Sequence, residues 1–367
     1  MKPVGYGVKK ELNLRAGEKV RVKSREAILA TLDQDGMLDR LPFMPEMLQY
    51  CGHELQVYKR AEKTCDTIEK TGARRVMHAV HLKDVRCDGS AHGGCGARCL
   101  MYWKEAWLER SSGGVASSPS NRLEAGSSTP LTESQLLATT IKRSEEDSGY
   151  GPVYRCQVTD LLNFSTPLSS WDLRQYMRDL RCGNVTIGEV LSALVFRSYQ
   201  RLMRLPGLRV WLFLYDAFQK LRGGVPFPYK EGQIQGKTPA DKLHLQPGEL
   251  VQVKSHEESL DTLDKNNRNR GLWFDAEQVP YCGKTAKVLC RVEQIINERT
   301  GHMMKLPNDC MILEGVYCRA AYSSDRLFCP RSIYSYWREI WLKRVAEQAD
   351  QLAKNRAACG HESAAPV

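Results

Sequence analysis

Long apolar runs are missing from this chain. No stretch reaches the ~18 consecutive apolar residues that a membrane-spanning helix needs. The closest approach, Val190 to Phe218, is broken by Arg197, Arg201, Arg204 and Arg209. Residues 1–10 lack the charged-then-apolar pattern of a secretory signal, so a cytoplasmic location is expected. Several chemical signatures are also missing. There is no G-x-x-x-x-G-K-[ST], no G-x-G-x-x-G after a strand, no H-E-x-x-H and no G-x-S-x-G. The common nucleotide, zinc-protease and hydrolase chemistries are therefore not expected.

Cysteine and basic charge are well supplied. Thirteen cysteines in a chain with no export pattern read as thiols or metal ligands rather than a disulfide framework. The formal net charge of +10, from 53 Lys+Arg against 43 Asp+Glu, favours acidic partners only diffusely and is first of all a solvated basic surface. A length of 367 residues suggests two or three domains, and 42% hydrophobic content suffices for sizeable cores.

The dominant pattern is internal. Leu12–Glu62 aligns with Leu243–Glu293 without a gap, and 22 of the 51 positions are identical. The match resumes at Cys87 with Cys318, and at Cys95 with Cys329 after a three-residue insertion in the second copy. It ends in Tyr102-Trp103-Lys104-Glu105-Ala106-Trp107-Leu108 against Tyr336-Trp337-Arg338-Glu339-Ile340-Trp341-Leu342.

Within each copy, Gly17 (Gly248) sits where a turn feeds a strand, and Val20 and Val22 (Val251 and Val253) alternate with polar residues. Glu26 to Leu32 suits one or two helical turns. Further strands are expected at Leu55–Val57, at Val80–Val85 and at Met311–Val316. Short strands, glycine turns and no long helix indicate a small curved antiparallel barrel of SH3-like type. Trp103 and Trp107, spaced i, i+4, predict an apolar helix face. Between the copies, Ser111–Thr129 is Ser/Gly/Pro-rich and reads as a flexible linker. Helices are expected from Asp172 to Leu180, ending at Gly183-Asn184, then up to Leu205, and from Leu208 to Leu221, the last two joined through Pro206-Gly207. This pair is a connector packed on the barrels, or a basic amphipathic surface for a partner or a membrane.

The predicted organisation is α+β: a first Cys-rich module over 1–110, a linker over 111–150 and a helical connector over 151–230. A second module follows over 231–347, then a polar tail over 348–367.

The chemistry concentrates in Cys87-Asp-Gly-Ser-Ala-His92-Gly-Gly-Cys95-Gly-Ala-Arg-Cys99. Its glycines let the backbone curl so that four donors converge, as zinc requires, and an iron–sulfur cluster would use the same thiolates. Cys99, at the start of the expected Trp helix, would gain thiolate character from the helix N-terminus. Cys51 or Cys65 would replace His92 if the fourth ligand were sulfur. In the second copy Cys282, Cys318 and Cys329 match Cys51, Cys87 and Cys95, whereas His92 has no counterpart and Cys99 becomes Ile333. Cys290 and Cys310 are new there and would complete a second site. Cys156 and Cys359 lie outside both copies and are expected to be neutral. The candidate ligands are thus Cys51, Cys87, His92, Cys95, Cys99, Cys282, Cys318 and Cys329, holding zinc or an iron–sulfur cluster. The alternative is buried thiols packing as small hydrophobes.

Other chemistries have thinner support. Cys87 with His92 has the makings of a base-activated thiol, with Asp88 the only carboxylate adjacent in sequence. Glu18/Glu249 and Glu46/Glu277 recur in both copies, as acid–base groups or, more simply, as turn and cap acceptors. His53, His78 and His81 are scattered and fit strands or surface. Arg74-Arg75 and Arg268-Asn269-Arg270, the latter near Trp273, are the basic features open to nucleic acid, without a stacking motif to support them.

The segments L-x-P-G-E-L-V-x-V-K-S, R-N-R-G-L-W-F, V-P-Y-C-G, L-E-G-V-Y-C and F-C-P-R-x-x-Y-x-Y-W-R-E-I-W-L, within Leu243–Val345, resemble a bacterial family of tandem Cys-containing modules. The helical part, Asp172–Gly224, is similar too. The resemblance implies company with biosynthetic enzymes for glycans or specialised metabolites, and no mechanism. The departure is the first copy's Gly-rich Cys/His segment, which is richer in donors than the family's F-C-P-R. A metal-binding protein of such a pathway is the expectation, with pathway proteins as partners. The alternatives are a scaffold that recruits pathway enzymes and a nucleic-acid-binding barrel.

Overall fold

The structure is a computed structural model that describes residues 12–111, 130–144, 151–202, 209–221, 224–323 and 325–345. Residues 112–129 of the linker expected over 111–150, the Pro206-Gly207 turn and the polar tail lie outside the described residues. The chain forms two compact units. The first comprises Met1–Val195, Gln294–Met304 and Arg319–Ile333; the second comprises Phe196–Glu293, Lys305–Cys318 and Tyr334–Val367. Two stretches of the second repeat, 294–304 and 319–333, therefore belong to the first unit.

In the first unit Gly17 takes a φ of 87°, a conformation open to glycine at no steric cost, and its N–H donates to Val57 O at 2.8 Å. That turn launches β1 (Lys19–Val22), whose Val20 and Val22 point into the core. Ser24 then caps α1 (Arg25–Leu29) by accepting the Ala27 N–H. In chain order β2 (Glu54–Arg60), β3 (Lys63–Cys65), β4 (Ala73–Val76), β5 (Ala79–Arg86), β6 (Leu100–Lys104), β7 (Leu108–Arg110) and β8 (Ser165–Leu168) follow. An antiparallel sheet runs β6-β5-β2-β1-β7, and β8-β4-β3 form a second. Register shifts at Val57/Lys59 and His81/Arg86 curl the large sheet, as bulges do. Two short helices, Glu133–Ala138 within the stretch expected as a linker and Leu161–Phe164, precede α2 (Arg174–Arg181) and α3 (Ile187–Leu202), and the boundary between the units falls within α3.

The second unit repeats the order. It holds α4 (Arg209–Leu221), β9 (Leu250–Val253), α5 (His256–Leu260), β10 (Thr285–Arg291), β11 (Met311–Tyr317), β12 (Tyr334–Trp337) and β13 (Leu342–Arg344). Its sheet runs β12-β11-β10-β9-β13, strand for strand the order of the first. The cores match as well. Phe43 meets Trp107 edge-on at 5.0 Å, and Phe274 meets Trp341 at 5.1 Å. The indole N–H of each tryptophan donates to a threonine, Trp107 to Thr31 and Trp341 to Thr262. Both units are curled antiparallel half-barrels in a mixed α+β chain, and no helix among the described residues is long and apolar enough to cross a membrane.

One expectation fails. The Trp103–Trp107 segment is not a helix but strand β6, a 3₁₀ turn at Glu105–Trp107 and strand β7. All five residues of β6 are buried, and β6 pairs with β5 through Val80↔Trp103 and His81↔Tyr102. Sheet pairing satisfies backbone groups that an isolated short helix would leave open. The corner between the strands brings both indoles to Phe43, so i, i+4 spacing arises without a helix.

The corner is held by Glu105, whose carboxylate accepts the N–H groups of Leu12, Asn13 and Leu14 and pairs with Arg60 at 2.8 Å. In the second unit Glu339 accepts those of Leu243, His244 and Leu245 and pairs with Arg291. The recurring glutamates Glu18 and Glu249 are turn acceptors, bonded by the Arg15 and Gln246 N–H groups.

Candidate metal centre

The loop joining β5 to β6 runs from Cys87 to Cys99 and is closed at its base, where the Cys87 N–H donates to Cys99 O at 2.8 Å. Gly89, Gly93 and Gly94 take positive φ between 73° and 79°, and the His92 and Gly94 N–H groups both fold back onto Gly89 O. A side chain at Gly89 would stand 2.4 Å from Cys95 O, so only glycine permits this curl. Asp88 is occupied by Ser90, accepting from both its N–H and its hydroxyl.

Residues 294–298 of the same unit hold the loop from the other side. Gly96 donates to Gln294 O, Gln294 Nε2 donates to Gly93 O at 2.8 Å, and the Ile296 N–H donates to Cys95 Sγ at 3.3 Å.

This curl turns His92 inward, where it is 2% exposed. Its Nε2 lies 3.5 Å from Cys87 Sγ, and its Nδ1 lies 2.9 Å from Glu46 Oε1. Glu46 comes from the 3₁₀ turn Pro45–Tyr50, is buried, and accepts the Ala91 N–H at 3.1 Å. The short His92–Glu46 contact is not aligned as a hydrogen bond, so Nδ1 and Glu46 Oε2 are buried polar atoms with no hydrogen-bond partner. Burying such atoms costs about 1–3 kcal/mol each unless something compensates. Glu46, Cys87 and His92 form the one group among the described residues whose donor atoms all lie within 4.8 Å of one another in the manner of metal ligands.

A cavity of about 40 Å³ opens beside them, lined by Cys87, His92, Cys95, Cys99 and Cys156 among others. Burial pushes the Cys87 thiol up strongly, and the Glu46 carboxylate adds to it. Burial likewise raises Cys99 to about 12 and Cys156 to about 11. Cys99 precedes a strand rather than a helix, so the expected help from a helix N-terminus is absent. These thiols keep their protons at neutral pH unless a cation takes their place.

The structure thus gathers Cys87, His92, Cys95 and Cys99 around one cavity. It adds Glu46, which the sequence offered only as a turn or acid–base residue, and Cys156, which the sequence set aside. Cys51 lies elsewhere, closing the 3₁₀ turn and packed against the core. Cys282 does the same in the second unit, its thiol raised to about 12 by burial. Cys318 follows β11 in the second unit and joins no group of three or more such donors among the described residues. Cys329 is a buried residue of the first unit, hydrogen-bonded to Cys65. Cys290 and Cys310 belong to the second unit and join no such group among the described residues. For Glu46 the available signal was its recurrence as Glu277 in the second copy; Cys156 carried none. Compared with known protein families and with curated proteins, the chain matches none.

Proposed function

We propose that the first unit is a metal-binding module built from Cys87, His92 and Glu46, in which Cys87 Sγ and His92 Nε2 face one ion and Glu46, on the Nδ1 side, orients the imidazole, and that the metal serves the biosynthetic setting implied by the family resemblance. The single observation that carries this is the mutual approach of three different donor types in a buried spot with two unsatisfied polar atoms. The spacing fits zinc chemistry. With Zn–S near 2.3 Å and Zn–N near 2.0–2.1 Å, tetrahedral ligands stand roughly 3.6 Å apart, against 3.5 Å between Cys87 Sγ and His92 Nε2. Cys87 and His92 both line the cavity, from which water, a small ligand or a further side chain would complete the coordination shell. The two curled sheets, taken as SH3-like barrels, supply the frame, and the second unit acts as the structural counterpart.

The same trio also has the order of a thiol–imidazole–carboxylate relay, with Glu46 in the orienting place that Asp88 does not fill. Two features disfavour it. A nucleophilic cysteine needs a thiolate, whereas burial and Glu46 both hold Cys87 protonated. The Glu46–His92 contact also lacks the aligned hydrogen bond that fixes such a base.

Metal analysis and a UV–visible spectrum of full-length, anaerobically purified protein test the reading, with cobalt(II) titration as a spectroscopic probe. Bound zinc or a cobalt–thiolate band, lost in Cys87→Ser and His92→Ala, is the expected result. Broad iron–sulfur absorbance supports the alternative metal. Folded, metal-free protein that takes up no cobalt overturns the reading and leaves the scaffold.

A further inference from the structure

Cys65 and Cys329 stand apart from the metal-type trio and from the cavity beside it. Cys65 ends strand β3, and Cys329 belongs to the stretch 319–333 that the second repeat contributes to the first unit. Their side chains are hydrogen-bonded to each other, and each residue is 5% exposed. The repeat shows how this contact arises. Carrying the gapless alignment three residues past Glu62 and Glu293 pairs Lys63-Thr64-Cys65 with Gln294-Ile295-Ile296, and both triplets are strands. Cys95 of the first copy matches Cys329 of the second. Each of these cysteines therefore meets the other copy's strand: Cys95 Sγ accepts the Ile296 N–H at 3.3 Å, and Cys329 meets Cys65. An isoleucine serves at one of the two related places, so packing alone does not call for sulfur at the other.

Charge distinguishes the pair as well. Arg331, itself buried, places Nη1 3.8 Å from Cys65 Sγ. It also donates to Cys65 O and Thr67 Oγ1, and faces the Glu298 carboxylate at 3.4 Å. A guanidinium keeps its charge in a protein, and burying it is costly unless anions are near. A thiolate at Cys65 supplies one. The Cys329 hydrogen bond, against burial and with Arg331 and Arg326 adding, lowers the Cys65 thiol to about 6, whereas burial raises Cys87, Cys99 and Cys156. Of these four, Cys65 is the one ionised at neutral pH, and it has a second sulfur in contact. A thiolate beside a resolving cysteine is the arrangement that reacts with peroxide and stops at a disulfide. Its narrow exposure admits a small oxidant and turns away a protein disulfide.

We propose that Cys65 and Cys329 form a redox-active dithiol site whose substrate is a small hydroperoxide, with Cys65 the attacking sulfur and Cys329 the resolving one. Cys65 sulfur attacks a peroxide oxygen: an S–O bond forms, the O–O bond breaks, and the departing oxyanion takes a proton from solvent. Cys329 sulfur then attacks the resulting sulfenic sulfur. An S–S bond forms, the S–O bond breaks, and hydroxide leaves with the Cys329 proton as water. The two sulfurs together lose two electrons, and the peroxide gains them. A small dithiol reopens the bond by exchange. The closed form ties β3 to the stretch 319–333. The site uses neither Cys87, His92 nor Glu46, so it stands whether or not that trio binds a metal.

The experiment treats reduced, folded, full-length protein with hydrogen peroxide, then unfolds it in urea with iodoacetamide and maps the non-reduced peptides by mass spectrometry. The expected product is a peptide pair joined through Cys65 and Cys329, released again by dithiothreitol. Cys329→Ser should leave Cys65 as a sulfenic acid that dimedone traps. Arg331→Met should slow closure at pH 7 by about tenfold or more, since less of Cys65 is then thiolate. Should either variant fail to fold, wild type answers alone: its closure rate should be half-maximal near pH 6, following ionisation of Cys65. Treated wild type in which both cysteines remain alkylatable, or in which either is joined to a different cysteine, overturns the proposal. So does a closure rate half-maximal near about pH 8.5, the behaviour of an ordinary thiol. Sulfinic acid on Cys65 with Cys329 left free removes the resolving role and overturns it too.

Discussion

Arg331 Nη1 lies 3.8 Å from Cys65 Sγ and 3.3 Å from Cys65 O, inside the first unit where both residues are buried. The guanidinium also donates to Thr67 Oγ1 and faces Glu298 at 3.4 Å. The Cys329 side chain hydrogen-bonds Cys65, and this, against burial and with Arg331 and Arg326 nearby, lowers the Cys65 thiol to about 6. Cys65 therefore behaves oppositely to Cys87, Cys99 and Cys156, first through the Cys329 hydrogen bond and then through the arginine beside it.

The first prediction concerns that thiolate. Because the folded value lies below the ordinary value near 9, the ionised thiol adds stability that is complete above about pH 9 and is lost as pH falls toward 6. Arg331→Met should move the apparent midpoint of Cys65 alkylation upward by a unit or more, read by mass spectrometry across pH. It should also destabilise the fold by roughly 3–5 kcal/mol, since it removes one partner of a buried charged network. An unmoved midpoint would show that Arg331 does not sustain the thiolate.

Glu105 and Glu339 yield a second prediction. Each carboxylate gathers three consecutive backbone N–H groups and an arginine. Glu105→Ala strands those donors and the buried Arg60, and a loss of about 3–5 kcal/mol in urea unfolding is expected. Glu339 should show the pH signature. Burial alone would raise it, but the backbone N–H groups and Arg291 hold it below the usual carboxylate value. Its contribution is present above about pH 4.5 and fades as pH falls below that, and Glu339→Gln should flatten this part of the acid limb.

A third prediction follows from two buried histidines. His81, with Nδ1 at 2.9 Å from Met101 O, is lowered to about 3 by burial, and His256 to about 4 by burial and then Lys230. The unfolded chain binds these protons near pH 6.5 and the folded chain does not. Stability should therefore fall as pH drops from about 6.5 toward 4, by up to roughly 1.4 kcal/mol per pH unit for each histidine. His81→Asn should remove part of that slope in thermal melts between pH 4 and 7. An unchanged slope would argue that His81 titrates normally.

The fourth prediction isolates the loop. Gly89→Ala forces a Cβ against the Cys95 backbone at a φ of 79°, so the Cys87–Cys99 curl must open. Cobalt or zinc uptake should fall at least tenfold, while the far-UV spectrum of the two sheets stays near wild type. Gly17→Ala, with open space around its Cβ, should cost stability through φ alone and leave uptake intact.

Much of the fold was legible because it is written in local terms. Alternation at Val20/Val22 and Val251/Val253, the glycine turns before them, and the short helical stretch that begins near Glu26 all act within a few residues. The helices at 174–181, 187–202 and 209–221 followed from periodicity in the same way. The tryptophan corner did not, because i, i+4 spacing also results when a strand, a 3₁₀ turn and a second strand bend around one phenylalanine.

By itself, the sequence determined a repeated scaffold and placed the candidate donors between Cys87 and Cys99, because the glycines and the donors are neighbours there. Only the tertiary structure decided which donors share a point in space. It brought Glu46 to His92 across forty-odd residues, turned Cys156 into the cavity, and took Cys329 to Cys65 and Arg331 in the first unit while Cys318 remained in the second. Convergence of that kind depends on how sheets curl and loops are anchored against distant strands, and no short-range pattern along the chain encodes it.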